Sequence, residues 1–265
     1  MTAAVLDRGL RLRQRSIAGW ALGSTLFTAM VVAVFPVVRD DPTFDELLAE
    51  YPEPVLALIG GDAGLTTGPG FLSAEIYSLV LPVLVAVIAA TTAASVLAGE
   101  DERGWLALVL AGPLDRDRVV FECAATVAIV AAGPVVATAV VVTIAGPIVD
   151  LNLPVANLVA ASIAAWLFGL VFGAVALVVG AITGRRATAT AVGVGALFVA
   201  YGFEIVGSTA DWGVWLQELS PLHHLLGTQP AVNGLPSGAV VVSALAIIGA
   251  VELAARFFAR RDLVG

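Results

Sequence analysis

Six long stretches of this chain carry no Asp, Glu, Arg or Lys: Ser16 to Val38, Ile76 to Gly99, Cys123 to Val149, Leu151 to Gly184, Ala187 to Phe203 and Ser220 to Val251. A helix crosses the hydrocarbon core of a bilayer with roughly 20 predominantly apolar residues, and about 17 is the lower limit that the shortest stretch meets. The pattern predicts an all-α, polytopic integral membrane protein. Its six spans fall at about residues 17–38, 76–98, 120–145, 156–182, 188–207 and 238–257 of a single domain, 1–265. The polar, basic opening MTAAVLDRGLRLRQRS is longer than the charged start of a signal peptide, and no small-residue cleavage site follows the first apolar run. The first span is therefore expected to be retained. Small residues recur four apart within the spans, at Gly169 and Gly173 and again at Gly180 and Gly184. Such spacing lets helices approach closely, and packing within the chain is the expected use.

The connections differ in kind. From Arg39 to about Glu75 the chain holds Pro42, Pro52, Pro54 and Pro69 with several glycines, so it cannot be one helix, although FDELLAEYPEPVLALIG can supply short surface pieces. IVDLNLPVAN and TGRRAT are short turns that force antiparallel neighbours. After the fifth span, DWGVWLQELSPLHHLLGTQPAVNGLPSG is apolar but broken by Gly213, Pro221, Gly227 and Pro230. That pattern predicts a re-entrant or interfacial outer segment before span six, with Trp212 and Trp215 at the interface.

Composition agrees with the pattern: 59% of residues are hydrophobic and 13% charged, against roughly a quarter charged in soluble domains. Every basic residue is Arg, and all except Arg39 fall on one side of the six-span scheme. Positive charge marks the cytoplasmic side, which places both termini there. The net charge of −8 comes largely from the first outer loop, with Asp40, Asp41, Asp45, Glu46, Glu50, Glu53 and Asp62, and does not point to nucleic acid. The single cysteine, Cys123, can form no intramolecular disulfide, and no Cys or His spacing resembles a metal site.

One charged stretch lies on the arginine side between spans two and three: GEDERGWLALVLAGPLDRDR, Gly99 to Arg118. WLALVLAG makes about two helical turns, too short to span, and Gly112 with Pro113 stops it. Asp115 is placed to cap the next helix, and Arg118 with Glu122 forms an i, i+4 pair at its start. A short apolar helix flanked by both signs of charge can rest on lipid headgroups or dock a soluble partner. Carboxylates beside an anionic leaflet weigh against simple adhesion.

GEDERGWLALVLAGPLDRDRVV resembles the cytoplasmic segment of type-2 ATP-binding cassette (ABC) exporter permeases, through Glu100, Glu102, Gly104, Pro113 and Arg116. YPEPVLALIGG with TTGPGFLSAE resembles that family's first outer loop, and LSPLHHLLGTQPAVNGL the segment before its last span. The resemblance covers most of the chain and implies a cell-membrane permease. A P-loop needs a lysine to reach the phosphates, and this chain has none, so ATP and Mg would belong to separate ATPase subunits, with no cofactor in this chain. By this resemblance the charged stretch is the coupling helix: Trp105, Leu106, Leu108 and Leu110 would enter a groove on the ATPase, while Glu100, Asp101, Glu102, Arg103 and Arg116 set register at its rim. The implied partners are two ATPase subunits, a second permease subunit, identical or paralogous, membrane lipid, and a hydrophobic or amphiphilic compound for export.

Other polar groups point elsewhere. Glu204 lies in an apolar run, where a carboxylate suggests a proton relay, and a proton-coupled carrier or channel is the alternative function. However, about 27 Å of helix separates it from Arg186, which places it at the outer boundary. Glu252 and Arg256, one turn apart, are expected to form a surface pair. Ser220, His223 and Asp211 make an unconvincing hydrolase set, because no nucleophile elbow accompanies them, and His223 and His224 are expected to turn their tips to water.

Overall fold

A computed structural model of the chain describes residues 4–41, 43, 64–112, 115–209 and 211–261. Among these residues all regular structure is helical, and six helical runs are long and apolar enough to cross a membrane: Val5–Arg39, Gly68–Glu102, Arg116–Val149, Val155–Thr183, Arg186–Thr209 and Ser237–Arg260. The number of spans agrees with the hydropathy pattern. Most of the loop between spans one and two, including YPEPVLALIGG and its expected surface helices, lies outside the described residues.

The boundaries depart from the apolar runs where charged residues extend a helix. Span one begins near the N-terminus instead of at residue 17, as one helix from Ala4 to Arg39. Its basic turns stay helical because Arg is a good helix former, Asp7 and Arg11 pair at 2.9 Å, and Arg13 reaches Ser95 Oγ at 2.6 Å. Span two starts at Gly68 rather than 76, because Thr67 caps a short helix, Gly68–Leu72, by accepting from Gly70 N at 3.2 Å. A π-helical turn, Ser73–Tyr77, then joins that helix to Val80–Val96. Such a turn breaks the regular ladder, and Tyr201 of span five donates to the Ser78 carbonyl at 3.3 Å.

Spans two and four form the centre. Two-thirds of their most apolar windows are buried (67% each), against 22–39% for the other four. Between helices already in lipid, close contact and dispersion drive packing, so small residues mark the seams. Gly169 sits against Val85 of span two, where a side chain would collide with backbone. A Cβ on Gly193 of span five would lie 2.8 Å from that of Ala176 and 3.0 Å from that of Ala90. Gly173 meets Ala89 and Val127, and Gly180 meets Ala98 and Ala189, so both glycine series serve packing within the chain. A buried hydroxyl pair, Thr28 with Thr138 at 3.2 Å, joins spans one and three.

The segment before span six folds as three short helices, Val214–Leu219, Pro221–Leu225 and Pro230–Asn233, at the end of the bundle away from most arginines. Asn157 holds the last of them to span four by donating to the carbonyls of Ala231 and Val232 at 3.1 and 2.9 Å. Trp212 and Trp215 stay exposed, as interface residues would. Glu252 and Arg256 are both exposed and do not form the expected pair.

Candidate functional site

The chain leaves span two through the helical turn Ala98–Glu102, and Gly104 then takes φ = 71°, a left-handed conformation that glycine adopts without strain. This reversal starts the short helix Trp105–Leu110. Pro113 lies outside the described residues, together with Leu114.

The helix is two-faced, and its inner face belongs to the chain's own core. Leu106 is fully buried (0% exposed), whereas Leu108 is 76% exposed. Trp105 and Leu110 are half-buried against the same core. The expectation that Leu106 and Leu108 enter a partner's groove together is therefore corrected for Leu106. The two residues lie about 200° apart on a helix of 3.6 residues per turn, so only one can face outward.

The acidic run also departs from a docking rim. Glu100 and Asp101 are buried (4% and 8% exposed) and face the chain's own arginines. Glu100 accepts from Arg8 Nη2 at 3.3 Å and from Arg103 Nη1 at 2.7 Å. Arg8 in turn lies 4.4 Å above the Trp105 ring, a cation–π contact. Asp101 pairs with Arg261, whose Nη1 donates to the carbonyls of Gly180 and Ala181 at the end of span four, 3.4 Å each. Glu102 is exposed, yet its Oε1 accepts from the backbone N–H of Arg186 at 2.8 Å, at the first turn of span five. Arg116 donates to the carbonyls of Ala259 and Arg261 at 3.1 and 2.7 Å, at the last turn of span six.

The physical reason is the unpaired backbone at helix ends. A span that stops at the membrane surface leaves its first N–H groups and last carbonyls without partners, and charged side chains from neighbouring loops supply them. Glu122 does the same for span one, accepting from the N–H groups of Val5 and Leu6 at 2.9 and 3.1 Å while it holds the expected pair with Arg118 at 2.9 Å. Asp115 sits at the N-cap position of span three as expected, but its side chain makes no capping bond. Spans one, four, five and six are thus tied at one end to the loop that carries the short helix. No local motif marks Arg8, Arg186 and Arg261 as partners. The only sequence signal for them is charge matching among loops on the same side.

At the opposite end Glu204 is buried (6% exposed) near the close of span five. Its Oε1 lies 3.3 Å from Gln217 Nε2 and 3.4 Å from His223 Nδ1, while Oε2 has no partner among the described residues. His223 therefore turns Nδ1 toward Glu204, because a buried carboxylate needs partners, while its ring stays partly exposed. His224 Nε2 is 2.8 Å from the Glu218 carbonyl. Ser220 Oγ donates to the Ala200 carbonyl at 3.2 Å and accepts from Leu222 N at 3.3 Å, a structural cap rather than a nucleophile. The side chain of Asp211 lies outside those described.

Six apolar spans, a short two-faced helix on the loop after span two and a clasp of charges at its base define a multi-pass membrane transporter component. The chain belongs to a family described as ABC-2 family transporter protein, whose model matches residues 4–263. It is thus a transmembrane permease of an ABC transporter in the cell membrane, and the family implies association with ABC ATPase subunits. No curated protein matches the chain.

Proposed function

We propose that this permease exports a hydrophobic or amphiphilic compound, working with a second permease subunit and two ATPase subunits that hold ATP and Mg on the cytoplasmic side. The observation that carries the reading is the clasp beneath the Trp105–Leu110 helix. An ATPase bound to the outer face of that helix would meet Leu108 first, with the half-buried Trp105 and Leu110 beside it and exposed Glu102 and Arg103 at the rim. Leu106 would not touch the partner but would hold the helix to the core. Movement of the helix by the ATPase would load Glu100, Asp101 and Glu102 together, and through them Arg8 of span one, Arg261 after span six and the first turn of span five. ATP-driven motion at one helix thereby becomes relative motion of spans, which is how bistable packed elements transmit force.

The absence of Lys from the chain supports the division of labour, because no P-loop can be built here. The apolar character of the spans supports a hydrophobic or amphiphilic cargo. A proton-coupled carrier is the second reading, favoured by the orphan Oε2 of Glu204. Transport by inverted vesicles separates the two. Accumulation of an amphiphilic dye that needs ATP and survives collapse of the proton gradient supports the exporter; uptake that follows the gradient without ATP supports the carrier.

A further inference from the structure

A groove between spans three and six begins among charges and continues between apolar side chains. Its mouth, about 660 Å³, is lined by Asp115, Arg116, Asp117 and Arg118, with Phe121 on one side and Ala259 opposite. Its shaft, about 230 Å³, runs between Ala128 of span three and Val251 of span six, with Leu170, Gly173, Ala174 and Leu177 of span four lining it as well. Ala125 lines both compartments, so the shaft adjoins the mouth. The wall from Arg118 to Ala128 rises about 15 Å at 1.5 Å per residue. That is half the ~30 Å hydrocarbon core, the depth of one leaflet. Beyond that depth Trp166 reaches from span four to span three and donates to the Ala128 carbonyl at 3.0 Å.

The charges at the mouth select the headgroup. Asp115 and Asp117 are exposed carboxylates, and Arg116 and Arg118 lie between and beside them. Arg118 is held by Glu122 at 2.9 Å, whereas Arg116 uses Nη1 alone among the described residues, for the carbonyls of Ala259 and Arg261, and Arg116 is the group open to a ligand. The remaining donors of its planar fork suit a phosphate. A purely anionic headgroup would face Asp115 and Asp117 without compensation, whereas one that carries both phosphate and ammonium meets a complement for each. We propose that this groove holds one acyl chain of a bilayer phospholipid whose zwitterionic headgroup sits over Asp115 to Arg118. The lipid fills the wedge between spans three and six just below the point where Arg116 ties their ends, and it does not depend on what the permease exports.

Ala125 is the place to plug the groove, since it is only half-buried and belongs to neither core cluster. The full chain, purified in a mild detergent, is titrated with phosphatidylethanolamine and separately with phosphatidylglycerol, and bound lipid is counted by native mass spectrometry. The expected result is one tightly held phosphatidylethanolamine per chain, at least tenfold weaker binding in Ala125→Trp, and at least tenfold weaker binding of phosphatidylglycerol to the unaltered chain. Ala125→Leu, a smaller plug, should give a smaller loss in the same direction, and it carries the test if the tryptophan variant does not yield a monodisperse protein. Retention of phosphatidylethanolamine by the plugged variants at the unaltered affinity would overturn the site. Equal or tighter binding of phosphatidylglycerol would overturn the headgroup assignment.

Discussion

Leu106 and Leu108 stand two residues apart on one short helix, and truncating each to alanine should do opposite things. Leu106 is fully buried in the chain's own core, so Leu106→Ala removes packed methyl groups and leaves a cavity, a change that costs 2–5 kcal/mol in well-packed cores. Leu108 is 76% exposed, so Leu108→Ala should leave the fold within about 0.5 kcal/mol of the parent. If Leu108 becomes buried on docking, its truncation removes about 1–2 kcal/mol of binding, the exposed share of a leucine's full burial. At ~1.4 kcal/mol per decade this is a factor of about 5 to 30 in affinity for the ATPase. Both quantities are measurable on the same samples. Thermal unfolding of the purified chain in detergent reads the first, and capture of the ATPase subunit over a concentration series reads the second. Leu106→Ala should lower the melting temperature, and its capture should return to normal under conditions where it remains folded. A Leu106→Ala chain that melts like the parent but no longer captures the ATPase would refute the two-faced reading of the helix. So would a Leu108→Ala chain that unfolds early.

The charge clasp and the packing seams give further expectations. Arg261→Ala leaves buried Asp101 without its guanidinium and should destabilise the chain by about 1.5–3 kcal/mol; adding Asp101→Asn should recover part of that loss, a coupling that a double-mutant cycle of melting temperatures detects. Gly169→Leu drives a side chain into Val85 and should abolish recovery of monodisperse protein, whereas Gly195→Ala, with nothing within 4 Å of a Cβ, should be neutral or slightly stabilising. Substitution of exposed Glu102 or Arg103 by alanine should change ATPase capture by under about 1 kcal/mol, with a smaller effect in high salt, while the Leu108→Ala loss persists in salt. The chain purified alone should bind no nucleotide by equilibrium dialysis, as expected for a sequence without lysine.

Hydropathy revealed the spans because a long apolar segment in lipid satisfies its own backbone as a helix, so six charge-free runs become six helices. It set their ends less well. The charged turns Ala4 to Arg15 and Ala98 to Glu102 look like loops by hydropathy, yet both are helical, with Asp7 paired to Arg11 and Glu100 to Arg8 and Arg103. The π-turn at Ser73–Tyr77 has no hydropathy signature at all. At the candidate site the stretch Gly99 to Arg118 was legible as unusual, but the direction of each side chain was not. Leu106 and Leu108 are equally apolar, and only the burial of Leu106 in the chain's core separates them. By the family resemblance Glu100, Asp101 and Glu102 belong at the rim of a partner's groove. Here the uncapped ends of spans four, five and six offer nearer partners, Arg261 and the Arg186 N–H among them. Glu204 and His223 lie nineteen residues apart in the chain, so their 3.4 Å approach follows from the fold of the segment between spans five and six and not from any local pattern.

The central claim is that the Leu108 face of the short helix meets the ATPase. A photo-crosslinking amino acid placed at Leu108, and separately at Leu106 and at Ser237 on the opposite end of the bundle, tests it in intact cells that express the permease with its ATPase. Irradiation should join the ATPase to the chain through position 108, with little or no product from 106 and none from 237. Adducts from position 237, or a product from 106 that exceeds the one from 108, would contradict the account.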